Sequence, residues 1–127
     1  MGIEAKGCYK RTAIEEILPV ELLSCDDRVE CPEGFCPETV APEHPVMDGI
    51  DEVMPYMLGY NRTVLKPGAT LIARREDDPI IAAWDCGEGR TMAYTCDCAP
   101  HWASPELCNW KHYSRLWQNI VHWLARA

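Results

Sequence analysis

Over residues 109–126 apolar side chains return at three- and four-residue spacing: Trp110, Tyr113, Leu116, Trp117, Ile120, Val121 and Leu124. A helical turn of 3.6 residues gathers them into one stripe, with Lys111, Arg115 and Gln118 off it, so the spacing predicts a long C-terminal helix packed on a core. A shorter period precedes it. Residues 70–74, 80–84 and 90–95 are short runs rich in β-branched and apolar side chains, bounded by Lys66-Pro67-Gly68, Glu76-Asp77-Asp78-Pro79 and Gly87-Glu88-Gly89. Such runs predict three strands. The gaps between them are too short for crossover helices, so the strands should pair as antiparallel hairpins.

The first half of the chain is less regular. Thr12-Ala13-Ile14-Glu15-Glu16-Ile17-Leu18 predicts a short helix, with Thr12 as its cap, Glu15 at capping-box spacing and Pro19 ending it. Residues 20–23 predict a short strand, and 46–50, after His44-Pro45, a short helical segment. Residues 26–45 carry Pro32, Gly34, Pro37, Pro42 and Pro45 among charges and predict a loop, while 56–64 is irregular or a strand. This inventory gives one long helix for one face of a sheet and nothing evident for the other. It predicts an α/β fold in which residues 1–127 form a single partial domain, the second half of a larger one.

Charge narrows the partners. The 127 residues hold 12 basic and 20 acidic side chains, a formal charge of −8, which argues against nucleic-acid and anionic-membrane partners. No apolar run is long enough to span a membrane, and the first residues lack the basic start and apolar stretch of a secretion signal, so a cytoplasmic protein is expected. In that compartment the eight cysteines should be reduced thiols.

The densest chemistry follows the third predicted strand. Cys96, Asp97, Cys98 and His101 fall within six residues, ahead of Trp102. Strand ends are where α/β folds usually build sites. His101 is the candidate catalytic residue, a general base, with Asp97, Cys98 and Trp102 beside it. A histidine wedged between Pro100 and Trp102 also has a purely structural explanation. Cys96, Cys98, His101 and Cys108, with His112 nearby, offer an alternative zinc set, although Cys-x-Cys is not the usual zinc-knuckle spacing. Redox exchange through Cys96 and Cys98 would close a strained small ring. No cofactor is favoured, zinc being the alternative. A non-enzymatic thiol- or zinc-binding domain and a self-associating structural module both remain open.

Several motifs are familiar. His44-Pro45-Val46-x-x-Gly49-Ile50, Gly59-Tyr60-Asn61, Lys66-Pro67-Gly68-Ala69 and Pro79-Ile80-Ile81-Ala82-Ala83 lead into Gly87-x-Gly89-Arg90 and Thr95-x-Asp97-Cys98-Ala99-Pro100-His101-Trp102. With Tyr113-x-x-Leu116-Trp117-x-x-x-Val121-x-Trp123-Leu124, and the Thr12 to Val20 pattern near the start, they resemble the glutamine amidotransferase-like family related to ThuA-type trehalose-utilisation proteins. The resemblance covers nearly the whole chain. It implies the C-terminal half of a flavodoxin-like sheet of the class I amidotransferase type, with short antiparallel strands and a long C-terminal helix. It also implies a small-molecule or carbohydrate-related ligand, with His101 in the region of the triad histidine. Two departures stand out. No cysteine lies in a Gly-x-Cys-x-Gly elbow, and Ala103 stands where an acid usually follows the histidine by two residues. Glutaminase activity from this chain alone is therefore not expected.

Overall fold

The computed structural model describes residues 8–126. In chain order its elements are α1 (Ala13–Ile17), β1 (Val20–Leu22), β2 (Arg28–Phe35), β3 (Glu38–Thr39), a 3-10 turn (Pro45–Met47), β4 (Met57–Asn61), β5 (Thr63–Leu65), β6 (Thr70–Arg75), β7 (Asp78–Cys86), β8 (Gly89–Tyr94), α2 (Pro105–Cys108) and α3 (Tyr113–Leu124).

β7 is the centre of the molecule. Its residues Pro79, Ile80, Ile81, Ala82 and Ala83 are buried in succession, the pattern of a strand covered on both faces. It pairs antiparallel with β6 and β8 across the two short gaps, and β3 extends β6, giving the order β3-β6-β7-β8. Two further antiparallel pairs, β1 with β5 and β2 with β4, lie outside that sheet. The expected hairpins and C-terminal helix are present in a mixed α/β structure, and every pairing of named strands among the described residues is antiparallel.

The main core gathers Ile72, Ile80, Ile81, Met54, Met57, Tyr60, Leu107, Leu116 and Ile120 between sheet and helices. Leu116 and Ile120 are the buried residues of α3, so the stripe does face the core. Its register is narrower than the spacing implies: the helix starts at Tyr113, Trp110 precedes it, and Val121 is 59% exposed. The second face of the sheet is not bare. Val20 and Leu22 of β1 pack on Ala82 and Ala93, with Leu18 and Leu65 alongside.

Two local expectations are corrected. Residues 26–45 are not a continuous loop, because β2 occupies eight of them. Pro32 and Gly34 concealed it. Both fall where the register with β4 shifts between Glu30 and Phe35, and a bulge tolerates residues that a regular ladder rejects. Gly34 takes φ +76° there, against the Tyr56 ring. Thr12 precedes α1 but does not cap it through its side chain. Its hydroxyl donates to the Tyr9 carbonyl, and Glu15 instead accepts from the backbone N–H of Arg11 (2.9 Å) and Leu22 (2.7 Å), tying α1 to β1.

Candidate functional site

The chain leaves the sheet at Thr95, whose N–H donates to the Ile80 carbonyl and whose carbonyl accepts from Asn61 N–H at 2.8 Å. It returns beside β4, where Leu58 N–H donates to the Trp102 carbonyl at 2.8 Å and Ala103 bridges to Met57. Between these anchors, residues 96–101 form a short loop whose ends are fixed to two strands. Ser104 then starts α2: its hydroxyl donates to the Tyr56 carbonyl and accepts from Leu107 N–H.

Inside the loop one carboxylate organises the rest. Asp97 Oδ2 accepts from the backbone N–H of Trp102 at 3.0 Å and lies 2.9 Å from His101 Nδ1. An ionised carboxylate only accepts, so Nδ1 carries the proton and the lone pair sits on Nε2. The His101 side chain is 69% exposed, which leaves Nε2 open. His101 adopts φ +148°, a conformation that L-residues with a side chain rarely hold. Such strain persists only where surroundings over-determine it, and it clusters at functional sites.

Trp102 supplies much of that support. It is buried, and its ring stacks beside the His101 imidazole at 5.4 Å and 29°. Its indole N–H donates to Glu30 Oε2 on β2 at 3.0 Å. Gly59 makes room beneath it, because a Cβ at Gly59 would lie 2.4 Å from the indole nitrogen. Glu30 and Gly59 were not singled out as site residues from sequence spacing. Glu30 stands 72 positions from Trp102, and the proline-broken pattern around it hid the strand that carries it.

Among the described residues no thiol is hydrogen-bonded to the His101 imidazole. Cys98 is exposed, and its carbonyl accepts from the Tyr113 hydroxyl. Cys96 is buried, and that burial pushes its thiol up to about 12. Cys108 lies half-buried at the end of α2. The ligand atoms of Cys96, Cys98, His101 and Cys108 do not converge. Among the described residues the group that does is Asp51, Glu52 and His112. There Glu52 is already held by Lys111 and by the Trp110 indole N–H, and Asp51 by His112.

The family model described as putative glutamine amidotransferase matches residues 1–126. The chain belongs to that family. Two solved structures share its architecture: cytoplasmic protein STM3548 from Salmonella typhimurium, with 41% identity and a TM-score of 0.90, and cytoplasmic protein STM1381 from Salmonella typhimurium LT2, with 37% identity and a TM-score of 0.90. Each comparison covers 97% of this chain and 50% of the other, so the chain spans half the length of these relatives. No curated protein matches it.

Proposed function

We propose that this amidotransferase-like chain holds a small-molecule, carbohydrate-related ligand at the His101 loop and does not hydrolyse glutamine by itself. The hydrogen bond between Asp97 and His101 carries the proposal. A carboxylate that fixes the imidazole tautomer is the arrangement of a general base, and here the free nitrogen faces outward.

Glutamine hydrolysis needs more: a thiolate within hydrogen-bond reach of that base. Among the described residues no hydrogen bond joins His101 to a thiol. The buried Cys96 is held protonated by its apolar surroundings, which suits packing rather than nucleophilic attack. The chain also lacks the Gly-x-Cys-x-Gly elbow. His101 would therefore serve as base toward a bound substrate, or toward a nucleophile from another segment or subunit.

Three finer assignments belong to the same proposal. The sheet is half of a flavodoxin-like sheet of the class I amidotransferase type. The chain is related to the ThuA-type trehalose-utilisation proteins. Because the Salmonella relatives are named cytoplasmic proteins, we place this chain in the cytoplasm too. Among the described residues no helix is long and apolar enough to cross a membrane. Among the described residues β8 has a strand neighbour on one side alone, which supports self-association as the mode of assembly.

Glutamate release from glutamine by the purified chain tests the catalytic half of this proposal. Background rates, unchanged by Cys98→Ser, are expected. Release above background that Cys98→Ser abolishes would sink it. Titration with neutral sugars, followed at the Trp102 indole, tests the ligand half.

A further inference from the structure

At the opposite end of β8 from His101, a cavity of about 340 Å³ is lined by Trp123, His44, Arg90, Thr70, Asp85 and Trp84. Neither indole is loose. Trp84 donates its N–H to the Ile17 carbonyl and the Thr91 hydroxyl, both at 2.9 Å, which holds its ring on the β1 side of the sheet, the face of Ala82 and Ala93. Trp123 lies under the Arg90 guanidinium at 4.9 Å and beside the His44 ring at 5.2 Å.

Two donors remain unused in this cavity. His44 Nδ1 accepts the backbone N–H of Val46 at 3.2 Å, capping the 3-10 turn, so the neutral imidazole carries its proton on Nε2. Nε2 has no partner among the described residues. Arg90 donates Nη1 to the Trp123 carbonyl at 2.9 Å and places Nε 3.4 Å from Asp85, and its Nη2 has no partner among the described residues. Burial, and next the Arg90 charge, hold the His44 pKa below the ordinary histidine value, while Glu43 acts weakly the other way.

The charge balance is local and unusual for so acidic a chain. Asp85 is shared between Arg90 and Arg126, one carboxylate for two guanidiniums. One positive charge is thereby left over at the cavity edge; the Lys66 ammonium, 5.2 Å over the Trp84 ring, stands on the other face of the sheet. A monoanion matches this surplus better than a dianion does. Planar oxygen pairs suit a guanidinium fork, and the Trp123 indole suits an apolar or flat body.

We propose that this cavity binds a small monocarboxylate, its oxygens held by Arg90 and His44 Nε2 and its body lying against Trp123. The site is independent of the His101 loop, and His44, which also caps the 3-10 turn, presents one of its donors.

Benzoate titrated into the intact chain, followed by the indole N–H resonances in 1H–15N spectra, tests this directly. Saturable shifts are expected at Trp123 and not at Trp84 or Trp102. Affinity should fall at least tenfold in His44→Asn, whose amide oxygen can still accept from Val46 N–H, and in Arg90→Gln. Three results would overturn the proposal: no saturable shift, equal shifts from benzyl alcohol, or benzoate affinity unchanged in His44→Asn. Inorganic phosphate displacing benzoate at lower concentration would overturn the monocarboxylate assignment.

Discussion

Asp97 performs two tasks with one oxygen, orienting the His101 imidazole and closing the loop through Trp102 N–H. The cluster of Asp97, Cys98 and His101 was visible in the sequence as adjacent reactive groups. Their division of labour was not, because it depends on which atoms the loop turns inward. Gly59 shows the same limit. A glycine in a predicted strand carries no sign that an indole lies over it, yet a Cβ there would meet the Trp102 ring. Gly59→Ala should destabilise the chain by about 1–3 kcal/mol in urea denaturation, the usual cost of overpacking. It should also displace the Trp102 indole resonance. Cys96 gives a pH prediction. Its thiol is raised from 9.0 to about 12 by burial, so the folded state keeps a proton that the unfolded state releases first. That contribution is fully present below pH 9.0 and is lost as pH rises toward about 12. Burial shifts the Tyr94 hydroxyl in the same direction. Urea midpoints should therefore fall above that lower bound, and Cys96→Ala should flatten part of the slope. Iodoacetamide at neutral pH should label the exposed Cys98 well before Cys96.

At the level of elements, the helix and hairpins were legible because apolar spacing directly reports burial. β7 announced itself as an unbroken apolar run, and α3 as a stripe. β2 did not, since its bulge takes a proline and a glycine that read locally as turn signals. The α3 stripe also overstated its width: Leu116 is fully buried whereas Val121 is 59% exposed. Leu116→Ala should cost about 2–5 kcal/mol, against about 0.5 kcal/mol or less for Val121→Ala, both read from denaturant midpoints. Near-equal losses would mean that α3 packs in another register. The 3-10 turn is held by His44 at its start and by Asn119 of α3, whose amide donates to the carbonyls of Val46 and Asp48. The His-Pro motif thus joins the turn to the helix, a link that neither periodicity nor composition reveals.

For the whole molecule, the family and the half-length match to the Salmonella chains agree with a sheet that carries one long helix and a small second-face layer. The sequence motifs reached the family; the placement of the thiols needed coordinates, because spacing does not show that Cys96 is buried while Cys98 is exposed. Metal analysis of the purified chain should find no zinc that depends on Cys98. Stoichiometric zinc lost in Cys98→Ser would instead establish the thiol set as a metal site. The account rests most heavily on Asp97 setting the proton position of His101. Nitrogen-15 NMR of the imidazole, recorded at mildly alkaline pH where histidine is neutral, reads this directly. The predicted spectrum has the proton on Nδ1 in the native chain and shifts toward Nε2 in Asp97→Ala. A native His101 protonated on Nε2 would contradict the account.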